Sequence, residues 1–512
     1  MVKPSFEAAK GTRDWYGQDT IIRNKIRDTL IGIFERYGYD RLETPMIERR
    51  DALGFKGGGE IQKEVFQLHD QGGRDLALRF DQTVPLARYV ASTPEIKFPF
   101  RRYAVGEVFR DGPTQPDQGR YRIFTQCDVD VLGVKEMTAE AELFALAQDA
   151  FKALGLGGVY VNINNRKLLE GVLDYAKVPG AARQRTIITL DKMDKIGLEG
   201  VTQELGNLTL LDGEGGLSDN ALSIIFAQHD GGMDVTNSPT VREKIVAELG
   251  EKAYEELIAP FQDPNTKGNR AHLYRETANY QTKGDVLLNP EIASRVIDAV
   301  KTEEDNEKTF ARLEKMITSN NGREGLQEIR TLLDYSKAMG FDFIRLNPSL
   351  ARGLDYYTGT TIEVYLQDKT IVSSAILAGG RFDDMVGDFR GGNESIPAVG
   401  FSFGLERLAM ILGSKQEFPK TVRQLYLIPV GRTHDHCLKV AHELREQGLR
   451  VEMKLQTAGK VKKDVEYANK AGIPYVGFVG ENEVETKTVR LKNMVTGEQK
   501  DLPIDEVKDH IK

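Results

Sequence analysis

The spacing of apolar residues predicts an α+β first part, a polar helical stretch and an α/β C-terminal part. Apolar side chains recur with helical period between Ile21 and Phe34, and Gly38 follows where such a helix would end. Two β-prone runs then flank Gln71-Gly72-Gly73, which is typical of a hairpin. In order, the predicted elements are a helix over 21–34, a strand over 39–43, a hairpin over 65–80, long strands over 100–110 and 120–132, and a helix over 139–154.

From residue 182 to 346 the pattern becomes polar and helix-prone, which we interpret as a mostly helical insertion domain. β-character returns over 358–379, and a strand over 395–401 leads into a helix over 404–412. Segments 1–181 and 347–418 are therefore expected to form one domain, a largely antiparallel sheet with helices, which the insertion splits. After Pro419 strands and helices alternate, so residues 421–512 predict a separate α/β domain with a parallel sheet.

The composition describes an ordinary globular protein and excludes several classes. With 512 residues, 40% of them hydrophobic and 29% charged, the chain has room for about three domains. No apolar run is long enough to span a bilayer and the N-terminus lacks the apolar core of a signal peptide, so we expect a cytoplasmic protein without a membrane partner. Cys127 and Cys437 form no CxxC pair, and we predict no metal site built by the protein.

The strand predicted over 120–132 carries the first candidate chemistry. Because side chains alternate along a strand, one face is apolar and the other mixes charge with one aromatic ring. The polar face consists of Arg120, Arg122, Phe124, Gln126, Asp128 and Asp130. A solvated face of an antiparallel sheet is the ordinary interpretation. Because Arg110 ends the preceding strand, these guanidinium groups can instead converge on a polyphosphate while Phe124 stacks on a planar base.

Another arginine stands at a tight turn from strand to helix. Gly400 and Gly404 allow close backbone approach there, and Arg407 falls in the first helical turn, where the helix dipole favours an anion. A plain surface arginine is the alternative. The chain has neither a G-x-x-x-x-G-K-[ST] motif nor a G-x-G-x-x-G motif after a strand, so arginines and metal would have to hold any nucleotide.

The most specific segment runs from Arg352 to Tyr365 and reads RGLDYYTGTTIEVY. It places a guanidinium and two adjacent phenols ahead of a β-rich run, and it closely resembles a signature peptide of histidyl-tRNA synthetases. The first helix and strand through Pro45, residues 109–130 and residues 400–407 resemble motifs 1, 2 and 3 of class II aminoacyl-tRNA synthetases. Residues 10–14 and 378–383 also resemble the histidyl family, whereas most of the insertion is unmatched.

The resemblance implies an activity and its partners. A class II synthetase of this kind would be a homodimer with motif 1 at the interface. It would use ATP, with Mg²⁺, to activate L-histidine and then transfer it to the 3′ end of tRNA(His). The part before residue 419 would be the catalytic domain, with an antiparallel sheet and a helical insertion, and residues 421–512 the anticodon-binding domain.

The resemblance also implies roles for individual residues. Histidine would be bound, chiefly through its ammonium group, by Asp81, Thr83, Gln126 and Asp130, with Tyr356 and Tyr357 bordering the imidazole. ATP would be bound by Arg110, Arg120, Arg122, Phe124 and Arg407. Arg352 would bind the α-phosphate beside the histidine and form the catalytic set with Arg110 and Arg407. Carboxylates suit an ammonium group and forked guanidinium groups suit phosphate, so these roles are chemically sensible.

Some positions depart from the family pattern. Asp81 and Asp130 stand where bacterial members often have glutamate, and Phe382 stands where tyrosine is common. Gly112 occupies the place of an acidic motif 2 residue, for which the neighbouring Asp111 is a candidate substitute.

The C-terminal part contains a candidate surface for tRNA. The net charge of −8 argues against indiscriminate nucleic-acid binding, yet residues 421–512 carry a small excess of basic side chains. The basic residues that gather around a strand end and a helix start are Arg450, Lys454, Lys460, Lys462 and Lys463. A solvated basic rim is the alternative. The resemblance to an anticodon-binding module favours phosphate contacts that position tRNA.

Two other functions remain open from the sequence. A synthetase-like paralogue serves as a non-catalytic regulatory subunit of ATP phosphoribosyltransferase, but such paralogues typically lack the anticodon domain and lose catalytic arginines. Arg352, Arg407 and the module after Thr421 argue against it. A class II synthetase for another amino acid is the other alternative, and the run from Arg352 to Thr358 argues against that.

Overall fold

The computed structural model describes residues 6–54, 64–206, 290–303, 305–341, 343–351, 356–392, 394–457 and 459–511. Contacts divide the chain into two units, one formed by Thr29–Arg407 and the other by Met1–Asp28 with Leu408–Lys512. Much of the predicted insertion, residues 207–289, lies outside the described residues, and so does the predicted catalytic residue Arg352.

The first unit is built on a sheet that has eight strands among the described residues. Its strands and those of a smaller sheet are β1 (Asp40–Arg41), β2 (Ile47–Arg49), β3 (Gln67–His69), β4 (Asp75–Leu78), β5 (Phe100–Phe109), β6 (Ile123–Leu132), β7 (Val159–Asn165), β8 (Ile344–Leu346), β9 (Thr360–Leu366), β10 (Leu377–Arg381) and β11 (Ala398–Gly404). The large sheet has the order β1-β5-β6-β11-β10-β9-β7-β8, and β2-β4-β3 form the small one. Pairing is antiparallel from β5 through β7 and parallel at both edges, which confirms the predicted antiparallel-sheet domain.

Helices cover the apolar face of this sheet. The helices up to the start of the C-terminal part are α1 (Gln18–Arg36), α2 (Arg50–Gly54), α3 (Thr83–Ala91), α4 (Thr138–Ala153), α5 (Arg166–Ala176), α6 (Gly180–Leu190), α7 (Met193–Gly206), α8 (Pro290–Val300), α9 (Asn306–Met316), α10 (Asn320–Ala338), α11 (Met385–Phe389) and α12 (Leu405–Lys415). Phe151 of α4 and Phe34 of α1 contact Phe403 of β11, with ring centroids 5.6 Å and 6.0 Å apart. Within the described residues, no helix has the length and apolar character needed to cross a membrane.

The second long strand is shorter than the sequence predicted. β6 begins at Ile123, whereas Arg120 forms an isolated bridge with Gln115 and Arg122 precedes the strand. The predicted start of this strand at residue 120 is therefore wrong, although the backbone N–H of Arg110 donates to the carbonyl oxygen of Arg122 at 2.9 Å and so continues the pairing with β5 by one residue.

The predicted end of the insertion, at residue 346, also needs correction. β8 (Ile344–Leu346) pairs in parallel with β7, and α10 packs against α5 and β7. The chain therefore rejoins the body of the large sheet before residue 346, although the helical character predicted for the described part of this stretch is confirmed by α6 to α10.

The C-terminal sheet of the second unit has five strands among the described residues, in the order β13-β12-β14-β15-β16. Its elements are β12 (Leu425–Pro429), α13 (His434–Glu446), β13 (Val451–Met453), α14 (Val461–Lys470), β14 (Tyr475–Val479), α15 (Glu481–Thr486), β15 (Thr488–Asn493), β16 (Gln499–Pro503) and α16 (Val507–His510). β13, β12 and β14 are parallel, as predicted, and the antiparallel β15 and β16 extend them. One apolar core includes Leu444 of α13, and another, on the opposite face, includes Ala468 of α14.

Candidate active site

One face of the large sheet is polar, and small residues lie there beside charged ones. One row across β5, β6, β11 and β10 consists of Arg102, Asp130, Gly400 and Gly380. The next row on the same face consists of Ala104, Asp128, Ser402 and Ala378. A Cβ atom at Gly400 would lie 2.0 Å from Oδ1 of Asp130, and one at Gly380 would lie 2.8 Å from the ring of Tyr357. The two glycines therefore leave the space that Asp130 and Tyr357 occupy.

Three carboxyl groups are buried on this face. Asp81, Asp128 and Asp130 are each at most 4% exposed. Arg102, itself 1% exposed, places Nη2 at 2.9 Å from Oδ2 of Asp130 and at 3.9 Å from Oδ2 of Asp128. The same Nη2 donates to the carbonyl oxygen of Gln82 at 3.1 Å. Arg102 thus connects β6 with the residue that precedes α3.

Burial dominates the electrostatics of these carboxyl groups. It raises the pKa of Asp81 to about 6 and the pKa of Asp130 to about 7, although Arg102 opposes both shifts. Burial also raises the pKa of Asp128, against the positive charges of Arg102 and Arg79. Keeping such groups ionised near neutral pH costs folding free energy, and arrangements of this kind concentrate at functional sites.

Acceptor oxygens in this cluster remain unmatched. Oδ2 of Asp81, Oε1 of Gln126 and Oδ1 of Asp128 are buried and have no hydrogen-bond partner among the residues that the structure describes. The other oxygen of Asp81 accepts from the backbone N–H of Val84 at 3.1 Å, which fixes this carboxylate at the start of α3. Because native proteins rarely leave buried acceptors unmet, the cluster is suited to a ligand that donates hydrogen bonds.

The structure brings most of the residues predicted to bind histidine to this face. Asp81 and Asp130 interact electrostatically, and the carbonyl oxygen of Gln126 accepts from the side chain of Gln82 beside them. Thr83 is the first residue of α3, two positions after Asp81. Tyr356 and Tyr357 are buried, with ring centroids 4.7 Å apart, and Tyr357 covers Gly380 in the row of Asp130. The individual roles stay predictions.

Sequence reasoning gave no role to three charged residues of this cluster. Alternation along the strand had placed Asp128 on the polar face, but the family resemblance assigned nothing to it. Arg102 lies in the strand predicted over 100–110 and Arg79 in the hairpin predicted over 65–80, and the sequence assigned neither of them any chemistry. The register of β5 and β6 brings Arg102 to the carboxylates, and packing over Gly106 brings Arg79 there. Both contacts join distant parts of the chain, so no local sequence pattern predicts them.

A second, basic cluster contains arginines from separate segments. Arg407 is largely buried, and its pKa is lowered first by burial and then by the positive charges of Arg120 and Arg110. The guanidinium of Arg110 lies 5.3 Å from the ring centroid of Phe124, and its Nε donates to the carbonyl oxygen of Phe80. Guanidinium groups repel one another unless an anion joins them, so this cluster suits a polyphosphate beside an aromatic ring. The predicted convergence of Arg110, Arg120 and Arg407 agrees with this geometry.

Acidic groups lie beside two residues of motif 2. These are Arg122, which is predicted to bind ATP, and Gly112, which stands where the family has an acidic residue. Arg122 lies 3.1 Å from Asp111, so Asp111 holds that arginine. A Cβ atom at Gly112 would lie 2.4 Å from a carboxylate oxygen of Glu64, which also lies 3.7 Å from Arg120. An acidic group from a distant segment thus stands against Gly112, which the sequence alone did not indicate.

The described residues also bear on the expected magnesium ion. Among them, no group of three or more His, Cys, Asp or Glu side chains is arranged to hold a metal. Mg²⁺ is commonly bound by phosphate oxygens with one or two carboxylates. Glu363 is a carboxylate whose charge acts on Arg407 and whose Oε2 accepts from the hydroxyl of Tyr365 at 2.6 Å, and a carboxylate beside the arginines would suit such an ion.

The basic residues of the C-terminal sheet differ in their surroundings. Lys460, Lys462 and Lys463 are exposed at the start of α14. Arg450 is exposed and donates to the carbonyl oxygen of Val422. Lys454, in contrast, is 5% exposed and lies 2.6 Å from Asp464. The prediction that Lys454 contacts tRNA does not fit this geometry, because its ammonium group is buried in an ion pair.

Comparison with known proteins agrees with both parts of the molecule. The family described as "Histidyl-tRNA synthetase" matches residues 11–224 and 232–408, and "Anticodon binding domain" matches residues 424–512. Histidine–tRNA ligase 1 of Bacillus cereus is 36% identical over 505 residues, which cover 98% of this chain and 96% of that one.

Solved structures lead to the same assignment. The crystal structure of histidyl-tRNA synthetase from Nostoc sp. PCC 7120 matches with a TM-score of 0.70 and 25% identity, covering 99% of this chain and all of that one. A Bacillus halodurans structure described as an ATP phosphoribosyltransferase regulatory subunit/histidyl-tRNA synthetase shares the fold, with a TM-score of 0.66 and 20% identity. By sequence over nearly its whole length, the chain belongs to the histidyl-tRNA synthetase family.

Proposed function

We propose that this protein activates L-histidine with ATP and transfers it to the 3′ end of tRNA(His). The observation that carries the proposal is the pairing of two opposite clusters on one sheet face. Buried carboxylates with unmet acceptors suit the ammonium group of an amino acid, and the arginines around Phe124 suit ATP. The strands β6 and β11 join the two clusters, since Asp130 and Phe124 lie on β6 and Arg407 follows β11.

The chemistry requires positioning and charge stabilisation rather than a protein nucleophile. The histidine carboxylate attacks the α-phosphorus of ATP, the bond to the β-phosphate oxygen breaks, and pyrophosphate leaves. Arg110, Arg120 and Arg407 would hold the phosphates and offset the developing charge, with Mg²⁺ supplying further positive charge when bound. Arg352 would act on the α-phosphate, a role that rests on the sequence resemblance. A terminal ribose hydroxyl of tRNA then attacks the adenylate carbonyl and releases AMP.

Pyrophosphate exchange with each of the twenty amino acids tests the activation step. Labelled pyrophosphate is expected to enter ATP with histidine and with no other amino acid. Exchange with a different amino acid would support the alternative class II enzyme. Absence of exchange with every amino acid would support the non-catalytic regulatory subunit instead, which the convergent arginines and the anticodon-binding match do not favour.

Replacing Gly400 by alanine is expected to raise the KM for histidine about 10- to 100-fold, because the added methyl group would displace the Asp130 carboxylate. Overpacking of this kind typically costs about 1–3 kcal/mol. The measurement is pyrophosphate exchange as a function of histidine concentration. Gly157→Ala is the matched control, since its Cβ would meet nothing within 4 Å. An unchanged KM in Gly400→Ala would remove Asp130 from the histidine site.

The exposed lysines of α14 give a separate prediction for tRNA. Changing Lys460, Lys462 and Lys463 together to glutamate is expected to raise the KM for tRNA(His) and to reduce its salt dependence, because phosphate contacts are lost. The log–log salt slope should fall by about 2–3, and pyrophosphate exchange should be unchanged.

The matched control changes the exposed residues Lys439, Lys500 and Lys508 of the same C-terminal part to glutamate, with an equal change of charge. Equal loss of tRNA charging in the control would show that net charge, rather than the start of α14, governs tRNA binding. The proposal further includes a homodimer through motif 1 and a cytoplasmic location, and sedimentation of the purified protein tests the dimer.

A further inference from the structure

We propose that Asp128 is a third acceptor for the ammonium group of the amino-acid substrate, beside Asp81 and Gln126. The inference rests on the proposed function and adds a residue to its histidine site. It starts from a buried carboxylate that neither the fold nor the family resemblance accounts for.

Asp128 occupies the centre of the polar face. It lies on β6 between Gln126 and Asp130, and strand alternation directs all three side chains to the same side of the sheet. Its cross-strand neighbours are Ala104 and Ser402, which both have small side chains. Burial raises the pKa of Asp128, whereas the hydroxyl of Ser402 favours the ionised carboxylate and so acts to lower that pKa. The residue is 3% exposed, so its carboxylate is removed from bulk water.

The unmet acceptors match an ammonium group in number and in type. Four acceptor oxygens of the cluster are buried without a hydrogen-bond partner among the described residues, namely Oδ1 of Asp128, Oε1 of Gln126, Oδ2 of Asp81 and Oδ2 of Asp130. Nη2 of Arg102 lies 2.9 Å from the last of these, which leaves three for a ligand. An ammonium group carries three N–H donors and no acceptor. An unmatched buried carboxylate oxygen is costly, whereas a charged donor recovers that cost when it binds.

The charges of the cluster also leave Asp128 without a close cation. Arg102 approaches Asp130 to 2.9 Å but stays 3.9 Å from Asp128, which is too long for a hydrogen bond. Two of the nitrogen atoms of Arg79 donate elsewhere, since Nε donates to the carbonyl oxygen of Glu107 and Nη1 to that of Thr44. The guanidinium groups of Arg102, Arg79 and Arg110 all favour the ionised form of Asp128, and an ammonium group of the substrate would supply the hydrogen-bond donor that Oδ1 lacks.

The test compares two histidine analogues that differ in the group Asp128 would bind. Histidinol keeps the ammonium group and lacks the carboxylate, whereas 3-(imidazol-4-yl)propionate keeps the carboxylate and lacks the ammonium group. Asp128→Asn preserves shape and removes charge. It is expected to weaken histidinol binding about 10- to 100-fold, the range for a hydrogen bond to a charged group, and to leave imidazolylpropionate binding unchanged. Calorimetric titration of each protein with each analogue at pH 8 measures both.

Equal losses for the two analogues would overturn the proposal, because they would assign Asp128 a structural role or a contact with the ring. Undiminished histidinol binding would overturn it as well. Asp384→Asn, at a neighbouring exposed aspartate, is the matched control and should bind both analogues like the wild type. If Asp128→Asn does not fold, Asp128→Ser carries the same comparison. Histidine-dependent pyrophosphate exchange by the wild type separates failure of this proposal from failure of the proposed function.

Discussion

Phenylalanine is expected to support pyrophosphate exchange about 10⁴–10⁵ times less efficiently than histidine. The two substrates share the ammonium and carboxylate groups, so the difference must come from the ring. Tyr357, which the family resemblance places beside the imidazole, is buried over Gly380 in the row of Gly400 and Asp130. A ring without nitrogen atoms would leave these polar groups unmet, and sites built on such pairing reject the analogue without editing.

The measurement is kcat/KM for pyrophosphate exchange with each amino acid, using phenylalanine freed of trace histidine. Tyr357→Phe should lower the ratio, since it removes a hydroxyl that would border the imidazole, whereas Tyr335→Phe, at an exposed tyrosine, should preserve it. If the wild-type kcat/KM for histidine exceeds that for phenylalanine by less than about 10², an apolar pocket that selects by shape alone would be sufficient. That result would contradict a polar pocket for the ring.

Replacement of Arg407 by alanine is expected to lower the rate of pyrophosphate exchange about 10²–10³-fold, the usual cost of losing one preorganised donor to a developing charge. Arg407 is largely buried beside the guanidinium groups of Arg110 and Arg120. The variant loses the bond from Nη1 of Arg407 to the carbonyl oxygen of Ala375, but it also relieves the repulsion among these cations, so its melting temperature should stay close to that of the wild type. The loss should therefore appear in kcat and in the KM for ATP, and not in the melting temperature.

Arg74→Ala is the matched control, since Arg74 is exposed and pairs only with Asp70 among the ion pairs of the described residues. It should exchange pyrophosphate at the normal rate. A folded Arg407→Ala protein with nearly normal exchange would remove Arg407 from the phosphate site and leave the basic cluster without its proposed ligand.

The alternation of polar and apolar residues predicted much of the catalytic sheet. It gave β5 and β6 as a pair and identified the face of β6 that carries Gln126, Asp128 and Asp130. It extended β6 too far because Arg120 and Arg122 continue the alternation, while the bridge between Gln115 and Arg120 belongs to the preceding turn. Periodicity reports which side of a strand a residue faces, and it does not report where pairing stops.

Contacts between distant segments limited prediction of the site. The carboxylate of Glu64 beside Gly112 and the guanidinium of Arg102 beside Asp130 depend on packing that no local pattern contains. Lys454 illustrates the opposite error, because its sequence context is basic and exposed while its ammonium group pairs with Asp464 in the interior. Composition cannot separate a cation that binds a ligand from one that holds the fold together.

Aminoacylation of a tRNA(His) transcript with an equimolar mixture of the twenty amino acids and ATP tests the central claim most directly. The product is hydrolysed from the 3′ end and identified by mass spectrometry. Assignment as a histidine-specific tRNA ligase predicts that histidine alone is recovered and that its attachment to the tRNA requires ATP. Recovery of another amino acid, or of none from a protein that is folded and binds the transcript, would contradict it.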